Sequence, residues 1–188
     1  MGKLHKDEIM RHFNELNSRL KAISKDGELF VVGGAAISLV FGGRDTTEDI
    51  DAIYKPRSEI RKIIKVMSEE YDLRSDWLNN DAEHFVTESM TFTLLLELSN
   101  LKVFHIDAEC LLAMKLASAR PESYPDMDDC LLLMDKLGIS EEKDLLHLVE
   151  LYTDEDSRDP AYRYFITEAY IQYYQKLAER ALRRSSDD

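Results

Sequence analysis

The chain is poor in the residues that mark several classes of protein. Its 188 residues include only two cysteines, Cys110 and Cys130, too few for a disulfide framework or a four-cysteine zinc site. Both lie in apolar helical segments, where inert core thiols are expected. No apolar run reaches the roughly 20 residues of a membrane helix. The charged segment 1–11 also lacks the apolar centre of a signal peptide. These absences favour a cytoplasmic protein with no membrane partner.

Basic residues are scarce as well. The chain has 37 acidic and 24 basic residues, a formal net charge of −13. This predicts a soluble, monomeric or weakly self-associating protein. It also argues against a surface for long DNA, because phosphate binding requires lysine and arginine. The excess is local, since residues 81–160 hold 19 acids and 6 bases. Either solvated helix faces and loops account for it, or some carboxylates surround a metal or a cationic partner.

Hydrophobic patterning predicts an α+β fold. A small mixed sheet flanked by helices is followed by a C-terminal helical bundle, with residues 1–107 as the α+β core and 108–188 as the helical part. Both parts are small for independent cores, which favours one compact unit. The predicted helices are 4–25, 57–71, 108–119, 125–137, 141–153 and 160–183, and the predicted strands are 28–32, 49–54, 91–98 and 101–106.

The segment from Phe30 to Tyr54 carries the chemistry. A buried strand runs into Gly33-Gly34 and a short helix, and a second strand then presents Asp49 and Asp51. Residues two apart in a strand share a side, so both carboxylates point the same way. They would repel each other unless a cation joined them, and Mg²⁺ or Mn²⁺ suits oxygen ligands and nucleotide phosphates. The glycines remove side chains where a triphosphate would approach the backbone, and the following helix start favours an anion.

The order Gly-Gly, helix, Asp-Ile-Asp resembles the motif of the nucleotidyltransferase superfamily. That superfamily includes polymerase-β-like enzymes and the head domains of CCA-adding enzymes. A closer likeness is to small bacterial nucleotidyltransferases related to AbiEii-type toxins of toxin–antitoxin systems. In those proteins an Arg and a Thr follow Gly-Gly-x-Ala and precede Asp-Ile-Asp, and Arg44 and Thr47 stand at these places here.

A second part of the same resemblance lies further along the chain. The pattern Leu-Leu-Ala-x-Lys-Leu-x-Ala-x-Arg, followed by Asp-x-x-Asp, corresponds to residues 111–120 and to Asp126 and Asp129. The resemblance covers about residues 28–137. It implies that Lys115 neutralises triphosphate charge, and that Asp126 or Asp129 orients Lys115 or lies near the acceptor.

For the first part of the motif, the resemblance implies a catalytic metal and a phosphate cradle. Asp49 and Asp51 would hold Mg²⁺ or Mn²⁺. Gly33 and Gly34 would cradle the phosphates, with Arg44 and Thr47 near them. The superfamily also supplies a third carboxylate from a neighbouring strand. The candidates here are Glu97 and Asp107, although an edge strand would explain Glu97 equally well.

Simpler explanations exist for the residues of the helical part. Lys115 lies in a largely apolar helix, so it needs an anionic partner or must extend its ammonium to solvent. Asp126 and Asp129 follow Pro125, and acidic residues are favourable at a helix N-terminus.

The predicted function is transfer of a nucleoside monophosphate from a nucleoside triphosphate to an RNA end or a protein hydroxyl, with release of pyrophosphate. A tRNA end or a cognate toxin or antitoxin would be the partner. The alternatives are a catalytically inactive nucleotide- or partner-binding module of the same fold, and a purely structural protein. Two basic helix faces could contact RNA or be ordinary solvated surface: Arg57, Arg61, Lys62 and Lys65, and Lys176, Arg180, Arg183 and Arg184.

Overall fold

The computed structural model describes residues 3–118 and 124–186. The chain folds into two compact units. The first unit comprises Met1–Val86 and Met90–Asp107, and the second comprises Thr87–Ser89 and Ala108–Asp188. Strands and helices both occur in the first unit and helices dominate the second, so the predicted α+β class is confirmed.

The first unit contains short and long elements in alternation. In chain order these are β1 (Leu4–His5), α1 (Lys6–Ala22), β2 (Gly27–Val31), α2 (Gly33–Ala36, extended by a π-helical turn, Ile37–Phe41), β3 (Thr46–Thr47), β4 (Ile50–Lys55), α3 (Arg57–Glu70), β5 (Leu78–Asn79), a 3₁₀ turn (Asp81–Phe85), β6 (Phe92–Glu97) and β7 (Leu101–Ile106).

A five-stranded mixed sheet organises this unit. Its strand order is β5-β4-β2-β7-β6, with β2 antiparallel to β4 and parallel to β7. The outer pairs are β4 with β5, which is parallel, and β6 with β7, which is antiparallel. A separate antiparallel pair joins β1 to β3. The central position of β2 matters for the site, because the Gly-Gly turn follows this strand directly.

One side of the sheet is closed by α1 and α3. The apolar residues of α1 are buried at steps of three and four from Ile9 to Leu20, whereas Ile23, just after the helix, is 48% exposed, and α3 buries a matching stripe. Gly27 lies between the two helices, where an added Cβ would come within 2.7 Å of Leu20 Cδ1 and 3.3 Å of Ile60 Cδ1. Each fully buried aliphatic or aromatic side chain contributes roughly 1.5–3 kcal/mol. The buried residues of the two stripes are Ile9, Phe13, Leu16, Leu20, Ile60, Ile63, Ile64 and Met67.

The two edges of the sheet are short or irregular. At one edge, β5 has two residues. At the other edge, the pairing of β6 with β7 shifts register between Leu94 and Leu96, as at a β-bulge. A turn at Ser99-Asn100 joins β6 to β7, where the Leu98 amide donates to the Leu101 carbonyl at 2.8 Å.

The second unit is a helical bundle. Its helices are α4 (Ala108–Ser118), α5 (Tyr124–Leu137), α6 (Glu142–Tyr152) and α7 (Tyr162–Ser186). Helix α4 packs against the other three, and its residues from Cys110 to Ala117 are all buried. Cys110 and Cys130 are both buried free thiols, and burial raises the pKa of Cys130 to about 12. None of the helices among the described residues is long and apolar enough to cross a membrane.

Candidate active site

The turn after β2 brings the predicted phosphate loop against the predicted metal pair. Gly33 has φ +61°, a left-handed conformation that disfavours other residues. A Cβ added there would lie 2.7 Å from Asp51 Oδ2. At Gly34 an added Cβ would lie 3.1 Å from Thr47 Oγ1 and 3.5 Å from an Arg44 guanidinium nitrogen. The structure therefore gathers Gly33, Gly34, Arg44, Thr47 and Asp51 at one place, with bare backbone at its centre.

Strand β4 positions the two aspartates. Its register is fixed by the Val32 amide, which donates to the Asp51 carbonyl at 2.9 Å, and by the Ile50 amide, which donates to the Trp77 carbonyl at 2.8 Å. Ile50 is fully buried, so Asp49 and Asp51 leave the chain on the opposite side. Both aspartates are half-buried.

The electrostatics of Asp49 show that this position is unfavourable for negative charge. Burial and the neighbouring Asp51 carboxylate raise the pKa of Asp49 to about 6, although the Arg74 guanidinium acts in the opposite direction. Arg74 itself binds the Asp76 carboxylate through two nitrogens, at 2.9 and 2.7 Å. A divalent cation would relieve the cost of charging Asp49, and carboxylate oxygens are the ligands that Mg²⁺ prefers. The two residues therefore fit a Mg²⁺ or Mn²⁺ ion.

A small strand pair holds the loop that carries Arg44 and Thr47. Thr47 is buried and pairs with Leu4 across β1 and β3. Its hydroxyl donates to the Asp49 carbonyl at 3.0 Å, which fixes the backbone just before β4. The pairing of β1 with β3 is not predicted from the sequence, where residues 44–48 look like a polar turn. Only the two adjacent β-branched threonines indicate a strand at β3.

Glu97 is not brought to the aspartate pair. It ends the edge strand β6, pairs in register with Lys102 and forms an ion pair with that residue at 3.0 Å. Asp51 is three strands away, next to the end of β2 that aligns with His105 on β7. Lys102 and His105 are about 10 Å apart along β7. The structure therefore does not bring Glu97 to Asp51 as a third carboxylate. Its exposed position on an edge strand explains why a glutamate occurs there.

Asp107 lies at the correct end of the sheet but has other partners. It follows β7, beyond the position paired with Val31. Its carboxylate accepts hydrogen bonds from the hydroxyls of Thr91 at 2.6 Å and Thr93 at 2.7 Å. Across residues 3–118 and 124–186, no group of three or more histidine, cysteine or acidic side chains is arranged to hold a metal. The described site thus offers two carboxylates.

The same side of the sheet carries an aromatic surface that sequence reasoning does not identify. Phe30 pairs with Ile53 on β4 and with Phe104 on β7, so these side chains share the side of Asp51. The rings of Phe30 and Phe104 stack with centroids 5.0 Å apart, and Phe92 meets Phe30 edge-on at 5.3 Å. All three phenylalanines are half-buried. In the sequence, the alternation of side chains between the two faces of each strand is the pattern that could have identified this surface.

The remaining predicted residues form a cluster within the second unit. Lys115 on α4 is buried, and its ammonium lies 2.9 Å from Asp126 and 2.8 Å from Asp129 on α5. Burial alone would lower the pKa of Lys115, but the charges of Asp129 and Asp126 outweigh that effect and raise it. Asp129 is 2% exposed, and the Lys115 ammonium offsets the cost of burying its charge. Arg120, the last residue of the predicted motif, lies outside the described residues.

Both predicted basic helix faces are at least partly exposed, and several of their members have acidic partners. Arg61, Lys62 and Lys65 on α3 are exposed, while Arg57 pairs with Glu83. On α7, Lys176 lies 3.9 Å from Asp128 and Arg180 lies 2.8 Å from Asp135. The side chain of Arg184 lies outside the described part. These pairings are those expected of solvated helix faces.

Comparison with known proteins identifies a family. No curated protein and no solved structure matches the chain. A family model described as "Nucleotidyltransferase of unknown function (DUF6036)" matches residues 7–179, which include most of both units. The predicted membership of the nucleotidyltransferase superfamily is thereby confirmed, whereas the closer likeness to AbiEii-type toxins stays a prediction. The chain belongs to the DUF6036 family of nucleotidyltransferases of unknown function.

Proposed function

We propose that the chain is a metal-dependent nucleotidyltransferase that moves a nucleoside monophosphate from a nucleoside triphosphate to a hydroxyl of an RNA end or a protein. The observation that carries this proposal is the close approach of Gly33 to Asp51 and of Gly34 to Thr47 and Arg44. Backbone without side chains, the Arg44 guanidinium and the Asp51 carboxylate lie close enough together there to contact one bound nucleotide. Family membership supports nucleotidyl transfer in general.

Asp49 and Asp51 would hold the Mg²⁺ or Mn²⁺ ion. Mg²⁺ is usually bound by one or two carboxylates together with water and substrate phosphates, so two protein ligands are sufficient. When bound, the metal would neutralise charge on the reacting phosphate and lower the pKa of the attacking hydroxyl. The raised pKa of Asp49 supports this assignment, because functional carboxylates are often held where their own charge is unfavourable.

The chain's own groups would bind and orient the triphosphate. The absence of side chains at Gly33 and Gly34 lets their backbone lie close to Asp51, Thr47 and Arg44, and the Arg44 guanidinium beside Gly34 can donate charge-assisted hydrogen bonds to phosphate oxygens. Thr47 would keep the Asp49 backbone in place through the hydrogen bond that its hydroxyl donates to the Asp49 carbonyl at 3.0 Å. An acceptor hydroxyl would then attack the α-phosphorus, with pyrophosphate as the leaving group.

The aromatic surface is suited to a nucleobase. Phe30 lies diagonally across from Asp51 on neighbouring strands, a separation of about 7–8 Å between backbones. Bases stack on aromatic side chains with about 1–3 kcal/mol each. The Lys55 ammonium lies 5.9 Å from the Phe30 ring centre and could meet a phosphate or base oxygen. We assign the base of the nucleotide or of the acceptor end to this surface.

Lys115 would act as a positioning residue. Its ammonium already has two carboxylate partners, so the cluster carries a net charge of −1 and is poorly suited to attract a triphosphate by itself. Asp126 keeps 32% of its side-chain surface exposed, whereas Asp129 keeps 3%. Lys115 would therefore hold Asp126 in a fixed orientation toward solvent, where it could contact an acceptor.

A second candidate is an inactive nucleotide-binding or partner-binding module. It is favoured by the lack of a third metal-ligating carboxylate among the described residues. A role in a toxin–antitoxin pair, with a cognate protein as partner, is compatible with either candidate. A cytoplasmic location is expected for both candidates.

Calorimetric titration separates these possibilities. Wild-type protein should bind Mg²⁺ together with a non-hydrolysable nucleoside triphosphate, and Asp49→Asn/Asp51→Asn should weaken this binding by about 10²-fold or more, since even residues that only orient metal ligands are worth 10–100-fold. Asp45→Asn is the matched control, because Asp45 is exposed in the same loop.

Transfer is measured separately with labelled triphosphates and total RNA or protein as acceptor. Incorporation by wild type that is lost in the double variant supports the enzyme. Binding without incorporation supports the inactive module. If neither protein binds the nucleotide, the enzyme and the nucleotide-binding module are both contradicted, and a partner-binding module is favoured.

A further inference from the structure

A row of alternating charges crosses four strands of the sheet beside the aromatic surface. Glu28 on β2 pairs in register with Lys55 on β4 and with Lys102 on β7. Lys102 in turn pairs with Glu97 on β6. Residues that pair in register project from the same side of a sheet, so these four side chains form one line, which we call the charged row. It lies on the side of Phe30, because Glu28 and Phe30 are two residues apart on β2.

The charged row borders a groove. The volume of this groove is about 480 Å³, within the range of about 300–1,000 Å³ found for small-ligand sites. Its lining includes all four members of the charged row, Pro56 and the turn at Ser99-Asn100. Along the strands, the charged row lies two residues, about 7 Å, from Phe30. A base stacked on Phe30 would therefore have one edge at the charged row.

Glu28 is the member of the charged row whose carboxylate has no partner of its own. It is half-buried, and within residues 3–118 and 124–186 its carboxylate accepts no hydrogen bond and forms no ion pair. The two lysines beside it are directed elsewhere. Lys102 pairs with Glu97 at 3.0 Å, and the Lys55 ammonium lies 5.9 Å from the centre of the Phe30 ring. A carboxylate can only accept hydrogen bonds, so Glu28 is suited to a ligand that brings a donor.

Nucleobases differ in the donors that they bring to such a carboxylate. Adenine, cytosine and guanine each carry an exocyclic amino group, which is a donor. In each of them the amino group lies beside a ring nitrogen that accepts a hydrogen bond, and the Lys55 ammonium can donate it. Uracil has no amino group, and carbonyl oxygens flank its one N–H on both sides. These oxygens would face the Glu28 carboxylate as acceptor against acceptor, which is unfavourable.

We propose that Glu28 and Lys55 contact the edge of the base of the bound nucleoside triphosphate, and that they select a base with an exocyclic amino group over uracil. This inference rests on the proposed function, since it takes the triphosphate to lie at Gly33 and Gly34. Strand β2 leads directly into that turn. A nucleotide with its phosphates at the two glycines therefore has its base along β2, over Phe30 and beside Glu28.

Calorimetric titration in the presence of Mg²⁺ tests this selection with non-hydrolysable analogues of ATP, CTP, GTP and UTP. The analogue that binds wild type most tightly should carry an amino group. The UTP analogue should bind about tenfold more weakly or worse, as expected for the loss of one hydrogen bond to a charged group. Glu28→Gln should remove most of this difference, because a glutamine amide can donate a hydrogen bond to a uracil oxygen as well as accept one.

Glu97→Gln is the matched control. It makes the same change in the same row, at a carboxylate that already pairs with Lys102, and should leave the difference between the analogues as in wild type. Circular dichroism checks that both variants stay folded.

Several results would overturn the selection by Glu28. These are a UTP analogue that binds wild type as tightly as the best of the others, an unchanged difference in Glu28→Gln, and equal changes in the two glutamine variants. Equal binding of all four analogues that still requires Asp49 and Asp51 overturns the base selection and leaves the proposed function standing. If wild type binds none of the analogues, the proposed function is contradicted together with the base selection.

Discussion

Two pairs of aspartates in this chain have opposite electrostatic surroundings. In the second unit, the ammonium of Lys115 lies within 3 Å of both Asp126 and Asp129 and offsets one of their two negative charges. In the first unit, burial and the charge of Asp51 raise the pKa of Asp49 to about 6, and Arg74 does not compensate. A cation beside buried carboxylates lowers the cost of burying their charge, whereas two neighbouring carboxylates at which charge is unfavourable fit the proposed binding of a metal ion.

The largest expected effect comes from breaking the cluster of Lys115, Asp126 and Asp129. Lys115→Ala should lower the free energy of unfolding by about 3–5 kcal/mol, because it removes the ammonium that lies 2.8 Å from the 2% exposed carboxylate of Asp129. Urea denaturation at neutral pH measures the loss. Lys115→Met/Asp129→Asn is the control, since it removes both charges and should recover part of the stability. A loss under about 1 kcal/mol in the single variant would contradict the role assigned to Lys115.

A smaller effect is expected where the phosphate loop meets the metal pair. Gly33→Ala should destabilise the protein by about 1–3 kcal/mol, since it combines a positive φ with a Cβ placed 2.7 Å from Asp51 Oδ2. It should also weaken triphosphate binding. Gly42→Ala has a similar φ of +74° with open space around the added atom, so it isolates the backbone cost. Equal losses in both variants would show that the contact with Asp51 carries no energy.

The smallest effect should be a gain in stability from the repelling pair. The pKa of Asp49 is about 6 in the folded protein and 3.8 ordinarily, so between these pH values the folded state binds more protons than the unfolded state. Stability contributed by this group is therefore present below about pH 4 and lost as pH rises through 6. Asp49→Asn should stabilise the metal-free protein by about 1 kcal/mol at pH 8, after allowance for solvent screening, and by nothing at about pH 3.5, where the carboxyl is protonated in both states.

Thermal unfolding at the two pH values measures this difference, and added Mg²⁺ should raise the melting temperature of wild type more than that of Asp49→Asn. Asp45→Asn should be neutral at both pH values. If Asp49→Asn destabilises the protein at pH 8, the two aspartate pairs are not electrostatic opposites.

Sequence patterns predict the long elements because local spacing determines them. Apolar periodicity predicts the helices at 4–25 and 57–71, which contain α1 and α3, and the two strands at 91–98 and 101–106 that flank the turn at Ser99-Asn100. Strand β5 is not predicted, since it consists of two residues held by pairing with Ile50 and Asp51 from a distant part of the chain. Such short pairings depend on tertiary contacts rather than on propensity.

In the candidate site, too, local patterns predict some residues, whereas the positions of others depend on tertiary contacts. Gly33, Gly34, Thr47 and Asp51 can be grouped from their order in the chain, because a strand, a tight turn and a returning strand bring them together. Glu97 cannot be placed, since its distance from Asp51 is set by the parallel register of β2 and β7, which no local pattern encodes. Arg74 escapes prediction for a similar reason: it lies in an irregular segment and acts on Asp49 only through the fold.

The irregular edges of the sheet have a consequence for how the protein behaves when concentrated. An exposed strand edge is a template on which further chains can add, and proteins avoid this with very short edge strands or with bulges. The two-residue β5 and the bulge at Leu94–Leu96 in β6 provide one such device at each edge. Uncontrolled growth of fibrils through this sheet is thereby disfavoured.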